Sequence, residues 1–206
     1  MIGGLIMAHG DDHGLRLPPR VAPVQVAVIA VKDDERTVTA ASALTDALVT
    51  AGVRARLDAR IDQGFGRRAT EWELKGVPLR VEVGPRDLER GEFTVARRDT
   101  RQKFTVTHES AVTTMRKLLD EIHAEMFAAA DDRLGQRMTD VDTVDEAVDA
   151  STTGFARIPW KAFGERGERQ LNTHAVTVRC LQTADGTLPD GETPEDELVA
   201  IVGRSY

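Results

Sequence analysis

With 206 residues, 41% of them hydrophobic and 30% charged, the chain has enough apolar material for one or two packed domains of an ordinary soluble globular protein. A formal net charge of −7 argues against a general nucleic-acid binder. The single cysteine, Cys180, excludes an internal disulfide and a cysteine-rich zinc site, and no stretch approaches membrane-spanning length.

Residues 2–8 (IGGLIMA) suggest a buried apolar strand whose glycines would admit another backbone or a ligand. They follow no basic leader and run into a polar turn at 9–14 (HGDDHG), a poor match to a signal peptide, so cytoplasmic residence is the default expectation. A chain that opens on a strand with no earlier partner suggests an internal methionine of a longer protein. Pro18, Pro19 and Pro23 then bar a regular helix or a central strand.

Residues 24–31 (VQVAVIAV) form the strongest predicted strand, of the unbroken kind that is buried on both faces of a sheet. Val38, Ala41, Leu44, Leu48 and Val49 recur at the helical period, Gly52 suits the residue after the helix, and residues 53–57 return to strand. This is a βαβ unit with a parallel strand pair. A charged helix follows Gly64 and Gly66 and stops at Gly76 and Pro78. Strands are predicted at 79–83, 92–96 and 103–107, with a Gly-Pro turn carrying Arg86 and Asp87 after the first. From His108 a long amphipathic helix aligns Val112, Met115, Leu118, Leu119, Ile122, Met126 and Phe127. The expected class is α/β: a mixed five-stranded domain with three helices over residues 24–135, then a small α+β domain over 136–206. In that last part the acids from Asp140 to Asp149 suggest a solvated helix face. Strands are expected at 155–160, 175–181 and 198–202, and a helix at 165–173.

Charge is unevenly spread along this plan. Residues 63–107 carry 10 basic and 7 acidic side chains, a net of +3, against −1 for residues 1–62 and −9 for 108–206. A basic centre in an acidic chain permits a focused RNA site without demonstrating one. The stretch 67–88 (RRATEWELKGVPLRVEVGPRDL) gathers arginines and acids around Trp72. It is either a solvated surface laced with weak salt bridges or a polar head whose arginine forks meet bases and phosphates. Charge alone does not break that tie. Gly64 and Gly66 lack the strand-to-helix context of a dinucleotide fingerprint. A surface turn accounts for His9, Asp11, Asp12 and His13 as well as a metal site does. Cys180, in a strand without a partner cysteine, is expected to be a small buried hydrophobe.

Resemblance does break it. Residues 1–15 (MIGGLIMAHGDDHGL) and 17–23 (LPPRVAP) resemble the last catalytic segment of class II prolyl-tRNA synthetases. Residues 71–80 (EWELKGVPLR) and 84–88 (GPRDL) resemble that family's anticodon-binding domain. Residues 97–100 (RRDT) and 203–206 (GRSY) match its archaeal and eukaryotic-like branch. These motifs span the chain in the expected order.

The resemblance implies a parent enzyme, a homodimer, that activates proline with ATP and Mg2+ and transfers it to tRNA(Pro). It assigns residues 1–23 to the end of the catalytic domain, 24–135 to the anticodon-binding domain and 136–206 to the C-terminal domain. Arg20 then corresponds to the catalytic arginine that contacts the ATP phosphates, with His9 and Tyr206 lining the active site. The anticodon guanines fall to Glu73, Arg80, Arg86, Asp87 and Lys103. Arg86 stands where the family often has lysine, so charge is kept and geometry changes. Lys161 stands where many relatives carry a zinc-binding cysteine, so no zinc is expected. The other class II signature motifs and the proline pocket are missing, and the chain alone is expected not to aminoacylate. The alternatives are a stand-alone, non-catalytic RNA-binding module of the same fold and an unrelated α/β protein whose charged helix is only surface.

Overall fold

A computed structural model describes residues 2–205, and the chain divides into two compact units after Ala128. Tyr206, expected at the active site, lies outside the described residues. The first unit begins with helix α1 (Ile2–His9) and a small hairpin of β1 (Gly10–Asp11) and β2 (Gly14–Leu15). There follow β3 (Val26–Ala30), α2 (Glu35–Thr50), β4 (Ala55–Asp58), α3 (Phe65–Leu74) and β5 (Leu79–Val83). Then come α4 (Pro85–Glu89), β6 (Glu92–Arg97), β7 (Lys103–Thr107) and α5 (Ala111–Gln136), whose residues to Ala128 belong to this unit.

The five strands form one sheet in the order β4-β3-β5-β6-β7. β3 is parallel to β4 and β5, while β5–β6 and β6–β7 are antiparallel, which makes the sheet mixed as expected. Strand alternation sorts its two faces. Val26, Val28, Leu79, Val81, Phe93 and Val95 pack on one face against Leu44 and Leu48 of α2 and Met115, Leu118 and Ile122 of α5. On the other face, Ala27 and Ile29 pack with Val77 against Ala69 and Trp72 of α3. The cross-strand register puts Arg80, Glu82, Thr94, Ala96, Lys103 and Thr105 on that second face as well. This is the polar half of the face, beside the apolar cluster under α3.

The proline-rich tail packs onto this unit. Arg54 donates to the carbonyls of Pro19 (2.8 Å), Ala22 (2.9 Å) and Arg20 (3.2 Å), and Leu17 N–H donates to Gly76 O at 3.1 Å. Gly76 adopts φ +73°, and a Cβ there would lie 2.7 Å from Leu15 backbone atoms. Gly52 has a similar φ of +82° but open space around it. Gly52→Ala is therefore expected to lose only the about 1–2 kcal/mol of a left-handed alanine. Gly76→Ala must lose more, because it also pushes the tail away. Urea unfolding midpoints of the two variants test this, and equal losses would mean that the tail contributes nothing to stability.

Four expectations for this unit need correction. Residues 2–8 are helical rather than a strand: with no described neighbour to pair, a helix satisfies their backbone groups locally. Residues 85–89 form a short helix instead of a turn, because Gly84 is extended and Pro85 presets the first helical φ. The three expected helices of the sheet domain become four. Phe127, assigned to the apolar stripe of α5, is 70% exposed because it lies one residue round the helix from Met126.

The second unit is a four-stranded sheet in the order β10-β11-β9-β8. Its elements are β8 (Met138–Asp140), α6 (Val144–Ala150), β9 (Phe155–Pro159), α7 (Trp160–Thr173), β10 (Val176–Thr183) and β11 (Leu198–Arg204). Ile158, Phe163, Leu171, Val176, Ala200 and Val202 anchor its core. The acidic run is split: Asp140 ends β8 and pairs with Arg157, and the helix starts only after Thr143, which forms a capping box with Glu146. Cys180 is exposed, contrary to expectation. It lies on edge strand β10 at a register shift after Val178, which turns it out of the apolar alternation.

Candidate nucleic-acid interface

One buried cluster under α3 anchors the helix that borders the polar half of this face. Asp58, at the end of β4, is 2% exposed and accepts from Trp72 Nε1 at 2.7 Å. Arg60 adds a two-pronged contact, Nε at 3.1 Å and Nη2 at 2.7 Å. Burial by itself would raise the Asp58 carboxyl, but the hydrogen bonds from Arg60 and Trp72 outweigh it and hold the group well below the ordinary carboxylate range. Arg68 is 1% exposed, donates to the carbonyls of Ala30 (2.8 Å), Asp58 (3.1 Å) and Gln63 (3.1 Å), and lies 3.6 Å from the Asp58 carboxylate. α3 is thereby fixed to β3 and β4, with Glu73 at its last turn.

A cavity of about 190 Å³ opens beside that helix end. Glu73, Arg80 and Lys103 line it, together with Arg97, Arg98 and Arg101. Each cation is held by the chain itself. Arg80 donates to Glu82 (Nε 3.2 Å, Nη2 3.1 Å) and to Ala69 O (3.3 Å), and approaches Glu73 Oε2 at 3.7 Å. Lys103 Nζ reaches the same Glu82 Oε1 at 2.8 Å. Arg97 binds Asp99 and Glu125, the shortest contacts at 2.6 Å. Arg98 forks onto Asp11 (2.6 and 3.1 Å) and donates to Glu73 O at 3.1 Å, and Arg101 meets His13 at 2.6 Å. The hydrogen bond from Arg98 is the main reason that the Asp11 carboxyl is lowered to about 2. The cavity thus offers oriented N–H donors and a carboxylate at short range, not a diffuse positive surface. A flat ligand with both acceptor and donor edges would be met on each.

The expected site residues fall into three groups. Glu73, Arg80 and Lys103 converge on the cavity. Asp87, in the first turn of α4, accepts from Thr94 Oγ1 at 2.8 Å, and Thr94 faces Glu82 across the β5–β6 register. Arg86 beside it is exposed, with no intramolecular side-chain partner among the described residues. Arg20 and His9 are not part of this cavity: Arg20 is exposed in the turn after Pro18, and His9 ends α1. Sequence reasoning missed Glu82, Arg97, Arg98 and Arg101. The alternation Leu79-Arg80-Val81-Glu82-Val83 could have found Glu82, since positions two apart share a face. Nothing local could have shown that Arg98 is buried against Asp11.

The stretch 67–88, which was either surface or recognition, is divided by the fold. Arg67 and Glu71 form an outward pair at 3.6 Å, Arg68 and Trp72 are structural, Glu73 and Arg80 turn to the cavity, and Glu82 holds Arg80 from behind its lining. No group of three or more His, Cys, Asp or Glu side chains among the described residues is arranged to hold a metal ion. No described helix is long and apolar enough to cross a membrane.

Comparison with known proteins adds the family. The profile described as "Anticodon binding domain" matches residues 25–118, the sheet unit without its tail. A proline–tRNA ligase of Frankia casuarinae is 51% identical over 206 residues, all of this chain and 44% of the relative. The Thermococcus kodakarensis proline–tRNA ligase is 43% identical over 212 residues, covering 99% of this chain and 43% of the relative. The chloroplastic/mitochondrial proline–tRNA ligase of Arabidopsis thaliana is 38% identical over 221 residues, covering all of this chain and 40% of the relative. The chain therefore spans less than half the length of these curated relatives. Matched from end to end by such enzymes and carrying an anticodon-binding domain at its centre, it belongs to the proline–tRNA ligase family, as the C-terminal portion.

Proposed function

We propose that the cavity at Glu73, Arg80 and Lys103 reads the guanines of a proline anticodon, and that the rest of the sheet face guides the RNA loop to it. The observation that carries this reading is the mixed set of oriented donors and acceptors on the polar half of the sheet. An unpaired guanine offers O6 and N7 to arginine or lysine N–H groups and offers N1–H and N2–H to a carboxylate. Glu73 can accept from the donor edge while Arg80 and Lys103 serve the acceptor edge. Asp87, with one oxygen held by Thr94, can accept from a second base, and the exposed Arg86 can reach the intervening phosphate.

The parent enzyme, in this reading, is a cytoplasmic homodimer that joins proline to tRNA(Pro) at the expense of ATP with Mg2+. Residues 1–23 would close the catalytic domain, residues 24–135 bind the anticodon and residues 136–206 form a zinc-free C-terminal domain. Arg20, exposed and without a side-chain partner among the described residues, would meet the ATP phosphates. His9 would line the same pocket. In this reading the residues of this chain supply anticodon recognition and the ATP contact at Arg20.

Binding of a tRNA(Pro) transcript to the chain, with Arg80→Ala and Glu73→Ala measured separately, tests the anticodon assignment. Each is expected to cost about 1–3 kcal/mol on the native anticodon and little on transcripts whose guanine partner is already changed. Arg86→Ala should weaken all RNAs alike. Equal binding of native and guanine-altered transcripts by the unsubstituted chain would overturn the assignment.

A further inference from the structure

Glu82 stands out because it organises the cavity without belonging to its lining. It lies two residues after Arg80 on β5, on the same face, with its side chain 12% exposed. One oxygen, Oε1, receives Arg80 Nε at 3.2 Å, Arg80 Nη2 at 3.1 Å and Lys103 Nζ at 2.8 Å. β5 and β7 are not neighbours in the sheet, so this single oxygen ties two side chains together across the intervening β6.

We infer that Glu82 is a positioning and specificity-determining residue: it aims Arg80 and Lys103 at a base and cancels the charge that would otherwise hold phosphate anywhere. The inference rests on the anticodon reading proposed above and adds to it a mechanism of discrimination.

Donor counting supports the aiming role. A guanidinium has five N–H groups in a rigid fork, and an ammonium has three. Glu82 and Ala69 O engage one hydrogen on each of the three Arg80 nitrogens, leaving one on Nη1 and one on Nη2. Those two hydrogens stay on a planar fork whose orientation Glu82 and Ala69 fix, which suits the acceptors on a purine edge. Lys103, which is half exposed, would otherwise swing freely on its four-carbon stem. Charge counting supports the second role. Arg80 and Lys103 are balanced by Glu73 and Glu82, so the group is neutral as a whole. Removing the Glu82 charge leaves +1 next to the RNA path. Phosphate attraction is blind to sequence, so that charge would favour every RNA equally.

The experiment compares the 206-residue chain with its Glu82→Gln and Glu82→Asp variants. Binding is measured to a tRNA(Pro) transcript and to one with both anticodon guanines changed, over a series of salt concentrations, with circular dichroism confirming the fold. Glu82→Gln is nearly isosteric. Its preference for the native anticodon is expected to fall by about tenfold. Its binding to the altered transcript should strengthen, and the salt slope should steepen by about 0.7, the value for one added phosphate contact on a single strand. Glu82→Asp keeps the charge and should keep most of the preference. If the unsubstituted chain discriminates and Glu82→Gln discriminates equally well, the role given to Glu82 is wrong while the anticodon reading stands. If Asp and Gln fail alike with an unchanged salt slope, Glu82 acts by packing and the inference is also overturned. If the unsubstituted chain shows no preference, the anticodon reading itself fails and takes this inference with it.

Discussion

Arg68→Ala is expected to destabilise the first unit by about 3–5 kcal/mol, the cost of breaking a buried, fully bonded charge cluster. The reason lies in what the guanidinium satisfies. It is 1% exposed and donates to three carbonyls, of Ala30, Asp58 and Gln63, that belong to three different segments. An alanine leaves those oxygens without that donor, removes the charge 3.6 Å from the Asp58 carboxylate and opens a cavity beside Ala69 and Trp72. Arg68→Lys should recover only part of the loss, because an ammonium cannot span three acceptors in a planar fork. Urea unfolding followed by Trp72 fluorescence reads the effect directly. The chain has two tryptophans, so a Trp160→Phe background isolates the signal of the first unit. A loss below about 1 kcal/mol, the scale of an exposed ion pair, would show that Arg68 is solvated rather than structural. Tertiary consequences should follow in the cavity, since α3 carries Glu73.

What could be foreseen here, and what could not, divides along a physical line. Periodicity is local, so the five strands and the long helices of the first unit were legible from apolar spacing alone. Val26 to Ala30 is fully buried on both faces, as an unbroken β-branched run requires. Errors arose where a segment's fate depends on a partner. Residues 2–8 have strand composition but no described strand beside them, and they coil into a helix. Cys180 has the hydrophobicity of a core residue, yet an edge position and a register shift expose it.

The convergence of the candidate residues was legible in the same uneven way. Glu73, Arg80 and Lys103 came from resemblance, and 30 residues of chain separate the first from the last. Only the β5–β6–β7 register brings them to one depression. Charge counts along the sequence pointed to residues 63–107 but suggested a positive patch. In the folded unit most of those cations are committed to carboxylates, so the surplus of +3 does not gather into a free positive patch but surrounds a cavity lined by directed N–H donors. A count of charges cannot distinguish a paired arginine from a free one. That distinction decides whether an RNA surface selects or merely adheres.

Asp11→Ala is expected to cost the first unit about 2–3 kcal/mol, more than Arg98→Met, although Asp11 is the more exposed partner. Arg98 has a side chain 3% exposed, against 28% for Asp11. Removing the carboxylate strands a buried guanidinium that retains only Glu73 O, whereas methionine fills a similar volume and leaves a carboxylate that water can reach. The pH dependence separates this pair from ordinary packing. The carboxyl of Asp11 is lowered from 3.8 to about 2, chiefly by its hydrogen bond from Arg98. A group held below its unfolded value contributes stability that is fully present above the unfolded pKa and is lost as pH falls through the folded one. The gap between the unsubstituted chain and Asp11→Ala should therefore be constant above about pH 5 and should narrow as pH drops from 3.8 toward 2. Asp58 is lowered too, through Arg60 and Trp72, so the unit as a whole should lose stability over the same acid range. Because Asp58 is intact in both chains, its loss cancels in the comparison. Urea midpoints of both proteins across that range provide the measurement. A gap that stays the same down to pH 2 would assign the Asp11 effect to packing of the hairpin and remove the ion pair from the account.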